Sequence, residues 1–113
     1  MKEIKAIIQS FMLPFVCDAL EGIPELPGVT ISQVAGFGRT RGAGAPEVHA
    51  EAGRDFAKKT KVEVVVPDAL ADRVVEAITK AARTGKPGDG KIFVIEVAQV
   101  VRIRTGERGE DAL

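Results

Sequence analysis

Residues Pro87, Gly88, Asp89, Gly90 and Lys91 put two glycines, a carboxylate and an ammonium group within five positions. Glycines spaced in this way can turn several backbone N–H groups toward one point and make a nest for an anion. Lys91 would add a positive charge to that nest. With Gly85 the segment also satisfies G-x-x-x-x-G-K, yet the next residue is Ile92. A triphosphate loop of that type needs Ser or Thr there to hold Mg²⁺, and a helix must follow. Here KIFVIEVAQVV follows, β-branched and apolar, which predicts a strand. A plain helix-to-strand turn with a solvated lysine accounts equally well for these five residues alone.

Other cations bear on the choice. Arg102 and Arg104 are two apart on a segment expected to be extended, so both project to one side. Two guanidinium groups facing one way suit phosphate, each with bidentate geometry. Along one unbroken strand, Lys91 and Arg102 would stand roughly 33–36 Å apart at about 3.3 Å per residue. They could then share a ligand only if the arginines came from a neighbouring subunit. In GFGR, Gly36 and Gly38 permit close approach of the backbone to a ligand, and Arg39 supplies a further cation. A G-x-G alone more often marks a bend. His49, between Glu47 and Glu51, reads as solvated loop chemistry, and no metal site is expected.

These groups need elements to hold them. EIKAIIQ predicts a first strand, and LPFVCDAL a short helix whose one face carries Leu13, Val16, Cys17 and Leu20, with Cys17 buried. Gly22, Pro24, Pro27 and Gly28 interrupt the chain before a second strand over 29–38. Residues 61–68 predict a third strand ended by Pro67. Asp68 is expected to cap the next helix, whose buried stripe is Leu70, Val74, Ala77, Ile78 and Ala81. Lys80 and Arg83 suit its C-terminal dipole, Gly85 its C′ position, and a fourth strand is expected over 91–101. The order β-α-β, β-α-β is the ferredoxin-like split βαβ plan: an α+β fold, an antiparallel sheet with both helices on one face. Val65 opposite Val62, Val64 and Val66, and Val34 opposite Val29, Ile31 and Ala35, imply that both sheet faces are covered, hence an oligomer. Between the second and third strands lie about twenty residues without apolar periodicity, long enough to suggest a functional, mobile arm.

Composition narrows the function classes. A chain of 113 residues fits one domain. Sixteen basic residues balance sixteen acidic ones, so no excess charge draws the chain to nucleic acid or a lipid surface. Five Phe, no Tyr and no Trp disfavour a base-stacking platform. No apolar run reaches membrane-spanning length, and MKEIKAIIQSF lacks a signal-peptide core. The single Cys17 precludes an intrachain disulfide and fits the cytoplasm.

Taken together, KEIKAIIQSF, GFGR, KVEVVVPD, TGKPGDGKIFV and VVRIRTGERGEDAL resemble the P-II signal-transduction family, the nitrogen regulatory proteins, over nearly the whole chain. The resemblance implies one domain over 1–113 and a homotrimer with ATP or ADP in clefts between subunits. It implies a T-loop at about 39–58, a B-loop at about 84–91 and a C-loop and tail at about 102–113. Gly88, Asp89, Gly90 and Lys91 would form the phosphate end of the pocket, with Arg102 and Arg104 reaching it from the adjacent subunit. Thr30, Gly38, Arg39, Glu63 and Val65 would line the rest, with Ile7 nearby.

Two departures from the family pattern stand out. Thr40 occupies the place of a Gln that helps bind Mg²⁺ with 2-oxoglutarate, and Ala52 that of a modified Tyr. Mg²⁺ could still accompany the nucleotide, but 2-oxoglutarate is expected to bind weakly or not at all. Uridylylation on Tyr has no acceptor.

The implied function is a non-enzymatic sensor that signals adenylate state through the T-loop to a transporter or enzyme. A slow nucleotide hydrolase and a sensor of another anion such as bicarbonate are the alternatives. The tail GERGED is expected to be solvated and mobile, with the capacity in this family to order over a bound nucleotide.

Overall fold

The computed structural model describes residues 1–38, 48–51 and 54–113, with residues 48–51 and 54–55 described by backbone alone. The elements in chain order are β1 (Lys2–Ile8), α1 (Leu13–Glu21), β2 (Thr30–Gly36), β3 (Val48–Glu51), β4 (Arg54–Val66), α2 (Asp68–Ala82) and β5 (Gly90–Glu96). One-turn 3₁₀ segments at Ser10–Met12 and Gly109–Ala112 flank them. The sheet runs β2-β4-β1-β5 with every neighbouring pair antiparallel, and β3 pairs with β4 beyond the main path. This is the expected ferredoxin-like α+β arrangement.

Alternation along the strands explains which face is dry. In β1 the buried residues are Ile4, Ala6 and Ile8, and β4 buries Val62, Val64 and Val66. Ile4 stands opposite Val64 and Ala6 opposite Val62, so the buried set forms one apolar face. Val16 and Leu20 of α1 and Ala71, Val74, Ile78 and Ala82 of α2 close over it, placing both helices on that side. Thr60 ends the dry strip, its hydroxyl within hydrogen-bond distance of Ser10 Oγ (2.9 Å) and Gln33 Oε1 (3.2 Å).

Several expectations need correction. The third strand begins at Arg54, not residue 61, because β4 pairs with β3 in a hairpin that uses part of the arm. Apolar periodicity could not reveal it, since main-chain pairing defines the hairpin. The last strand stops at Glu96, not residue 101; after it, Val97 donates its N–H to Met1 O (3.1 Å). Asp68 does not cap α2: Pro67 is the N-cap, and the Asp68 carboxylate lies in the first turn, 2.9 Å from the amino group of Met1. That amino group's hydrogen bond holds the Asp68 carboxyl below its ordinary range. The C-cap of α2 is Arg83, so Gly85 falls one residue past C′. The buried stripe of α2 is rotated by one position, with Leu70, Ala77 and Ala81 only half-buried at its margin, and Cys17 is likewise half-buried.

The opposite sheet face is less apolar than the valine pattern suggested. Across β1 and β4 it carries Glu3, Lys5, Ile7, Lys61, Glu63 and Val65, and on β5 the half-exposed Phe93 and Ile95.

Gly90, where β5 begins, has φ +101°, and a Cβ placed there would sit 1.7 Å from the Ile7 carbonyl oxygen. Gly85 also has positive φ, at +85°, but a Cβ placed there would meet nothing within 4 Å. Gly85→Ala should therefore cost only the backbone strain, about 1–2 kcal/mol, whereas Gly90→Ala adds a main-chain collision that only displacement of β5 relieves. Urea unfolding of both variants checks this; equal midpoints would contradict the close approach.

Candidate functional site

The segment between α2 and β5 is held from inside by Asp89. Its Oδ2 accepts the backbone N–H groups of Thr84 and Gly85, each at 2.9 Å, and its Oδ1 accepts the Thr84 hydroxyl. The Thr84 hydroxyl, above all, keeps the Asp89 carboxyl below its ordinary range, helped by both backbone donors and by Lys59. Gly88 and Gly90, with φ +96° and +101°, stand on either side of Asp89 and let the chain reverse there. Lys59, reaching across from β4, donates to Gly88 O at 2.6 Å. Burial lowers the pKa of this lysine, partly offset by the charge of Asp89. The loop is thus braced by its own carboxylate and by one lysine of β4, which reaches it past β1.

Sheet register then places the remaining candidates. Lys91 stands opposite Ile7, Ile7 opposite Lys61, and Lys61 opposite Ser32, one row across the open face. The next row is Phe93, Lys5, Glu63 and Thr30, and the row beyond contains Ile95, Glu3 and Val65. Lys91 and Thr30 are therefore three strands and one row apart, about 16 Å at ordinary strand spacings. Ile7, Asp89, Gly90 and Lys91 share a recess of about 280 Å³ against the end of α2. Thr30, Glu63 and Val65 share a second, of about 330 Å³, with Gly28, Glu3 and Leu113. The structure brings the sequence candidates together in two groups.

In the second recess Glu3 and Glu63 form a carboxyl pair. The hydrogen bond to Glu63 raises the pKa of Glu3, and the same bond, with Lys61 and Lys5, lowers that of Glu63. Lys61 Nζ lies 3.5 Å from Glu63 Oε1.

Arg102 and Arg104 are not on an extended strand. Arg102 N donates to Glu107 O (2.9 Å), Gly106 N donates to Arg102 O (2.7 Å), and Val101 bridges Arg108. The two arginines begin a tight reversal that Gly106, at φ +75°, permits, so spacing by two no longer aligns their side chains. The Arg102 guanidinium donates to Glu107 Oε1 (2.9 Å) and to the main-chain oxygens of Asp111 (3.2 Å) and Leu113 (3.1 Å). Arg104 is exposed. Because Leu113 also lines the Thr30 recess, Arg102 lies toward the β2 and β4 side of the molecule, while Lys91 lies on the β5 edge. In the tail, GERGED is solvated as expected, every residue but Gly109 being exposed, and a 3₁₀ turn over Gly109–Ala112 leads to a half-buried Leu113.

Gly38 is exposed just past β2, where Phe37 packs edge-on against Phe56 with ring centroids 5.6 Å apart. Arg39, Thr40, Glu47 and Ala52 lie outside the described residues, as do the side chains of His49 and Glu51. Among the described residues no group of His, Cys, Asp and Glu is arranged to hold a metal ion, and no helix is long and apolar enough to cross a membrane. Sequence reasoning missed Lys59 and Thr84. Alternation counted back from Val66 would have put Lys59 on the face of Lys61 and Glu63, but nothing local pointed it at Gly88.

A family model described as Nitrogen regulatory protein P-II matches residues 1–107. Nitrogen regulatory protein P-II of Rhodospirillum rubrum and that of Azospirillum brasilense are each 50% identical to this chain over 113 residues, covering all of both chains. Nitrogen regulatory protein P-II 1 of Escherichia coli K12 is 48% identical over the same full length.

The Asp89 brace sets a pH dependence. A carboxyl with a lowered folded-state pKa contributes stability above its unfolded value, and that contribution is lost as pH falls through the folded value. Loop order is therefore expected to hold at neutral pH and to fail below the ordinary aspartate value of 3.8. The protection of the Thr84 and Gly85 amides, taken relative to unfolded-chain exchange at the same pH, should fall there, and Asp89→Asn should show the lowered protection already at pH 7. Unchanged protection in Asp89→Asn would remove Asp89 from the brace.

Proposed function

The chain belongs to the P-II family of nitrogen regulatory, signal-transducing proteins, and from that premise we propose that it is a homotrimer binding ATP or ADP in clefts between its subunits. The adenylate state passes through the arm, the T-loop at about 39–58, to a target transporter or enzyme. Its relatives are named as regulatory proteins, and the chain acts as a regulator without catalysis. The B-loop at about 84–91 and the C-loop at about 102–113 carry the phosphate contacts.

One observation carries the reading. The braced glycine loop with Lys91 lies on the β5 edge, and the Arg102 turn lies toward the opposite side, beside the recess of Thr30 and Glu63. A single chain cannot close both groups around one phosphate chain. A second copy set edge to edge brings the arginine side of one subunit to the lysine side of the next. The half-exposed Phe93 and Ile95 on the open sheet face supply apolar area for such an assembly. Gly88, Gly90 and Lys91 would then hold phosphate oxygens from one side, and Arg102 and Arg104 from the other, with Ile7, Thr30, Gly38, Arg39, Glu63 and Val65 around the nucleoside. Asp89 is engaged by Thr84 and Gly85 and held in its charged form, so its role is to shape the loop rather than to move a proton. That observation favours a sensor over a hydrolase.

Light scattering is expected to give about three times the monomer mass. Calorimetry is expected to show ATP binding that Arg104→Ala weakens by about 10–100-fold, the scale of losing a hydrogen bond to a charged group. A monomer, or ATP affinity unaltered in Arg104→Ala, would overturn the shared cleft. With Thr40 in place of the family's Gln, 2-oxoglutarate added with Mg²⁺ and ATP is expected to give no further heat; a saturable Mg²⁺-dependent titration would contradict that.

A further inference from the structure

Arg102 already holds an anion-like partner. A guanidinium has five N–H donors, and three here are taken by Glu107 Oε1 and by the main-chain oxygens of Asp111 and Leu113. The carboxylate is itself positioned, because Thr105 Oγ1 donates to the same Glu107 oxygen (3.1 Å) and Glu107 N donates back to Thr105 Oγ1 (3.2 Å). The segment is fastened at both ends of the turn: Gly109 N donates to Val100 O (3.1 Å) and Leu113 N to Glu110 O (3.1 Å). Gly109, at φ +78°, turns the chain back so that Leu113 reaches the recess of Glu3, Thr30, Glu63 and Val65. Glu107, Glu110 and Asp111 make this stretch acidic, and Arg108 is drawn aside to Gln99 (3.2 Å).

We infer that residues 107–113 are a built-in competitor for the anion site. Glu107 occupies the guanidinium as a phosphate would, and Leu113 stands in the recess proposed to receive the nucleoside. The inference rests on the nucleotide reading above and adds its regulation: ligand must displace the tail before Arg102 becomes available. Binding then proceeds only from the tail-open fraction of molecules, and the apparent dissociation constant rises by the reciprocal of that fraction. The Arg102–Glu107 pair is partly exposed, at 39% and 46% of its side-chain area. Pairs of that kind are weak, so the competition tunes affinity rather than abolishing it.

The test is calorimetric titration with ATP of the full chain, of a chain ending at Arg108, and of Glu107→Gln. The shortened chain, which keeps Glu107 but loses the Asp111 and Leu113 acceptors and the Leu113 side chain, is expected to bind ATP about three- to tenfold tighter, the scale of two modest hydrogen bonds removed. Glu107→Gln, which keeps the tail's length and its surface position, is expected to shift affinity in the same direction. Glu107→Gln should add nothing in an Arg102→Ala background. In the full chain, ATP is expected to accelerate hydrogen exchange at the Gly109 and Leu113 amides. If the full chain binds ATP and the shortened chain binds it equally or more weakly, the tail is not a competitor and the inference fails while the nucleotide reading stands. If neither form binds ATP, the nucleotide reading fails, and the competition with it.

Discussion

Where the glycine loop enters the sheet, the main chain of Gly90 passes so close to the carbonyl oxygen of Ile7 that no side chain fits between them. That approach fixes the register of β5 on β1, with Lys91 opposite Ile7 and Ile92 opposite Ala6. Through β1 it fixes the relation of the loop to β4, which pairs with the other edge of β1 and carries both Lys59 and Glu63. A one-residue slip would reverse every side chain of β5, turning Lys91 toward the helices and Ile92 outward. The position of a positive charge on the open face thus follows from the absence of a methyl group. Lys59 and Asp89 then brace the loop, one at the Gly88 carbonyl and the other at the Thr84 and Gly85 amides, so its shape is set before any ligand arrives.

Much of this was legible in the residues, and what was not has a physical reason. The two amphipathic helices and the valine alternation of KVEVVVPD depend on burial against one core, and burial leaves a period in the sequence. The recurrent β-α-β order followed from those periods. The hairpin of β3 with the start of β4 was not legible, because its pairing is main-chain bonding that polar, low-period residues make as readily as apolar ones. Overextension of the last strand through residue 101 had the opposite cause. VAQVV has strand-like composition, but Val97 bonds to Met1 and the chain then turns, a tertiary event with no local signature.

At the site, the glycines and Lys91 announced themselves by type. The partners that give them shape, Lys59 from a strand near the middle of the chain and Thr84 before the loop, did not. Arg102 and Arg104 were found, but their shared direction was not, since Gly106 reverses the chain just after them. Asp68 shows the same limit at a helix start. A capping residue type stood in the right place, and a distant amino group claimed its carboxylate instead.

The central place of β1 has a bearing on how the molecule is made. Ile4 is synthesised well before its neighbours in the sheet, which are Val64, sixty positions later, and Val94, ninety positions later. No strand pairing of β1 can begin before half the chain has emerged, and none is complete before β5. Non-local pairing of this kind must overcome its loop-closure entropy before contacts reward it, which slows folding relative to a helical domain of equal size. For that interval the apolar residues of IKAII have no partner strand, and they belong to the exposed segments through which an incompletely folded chain can associate with others. The strand that organises the finished sheet is the one that waits longest for it.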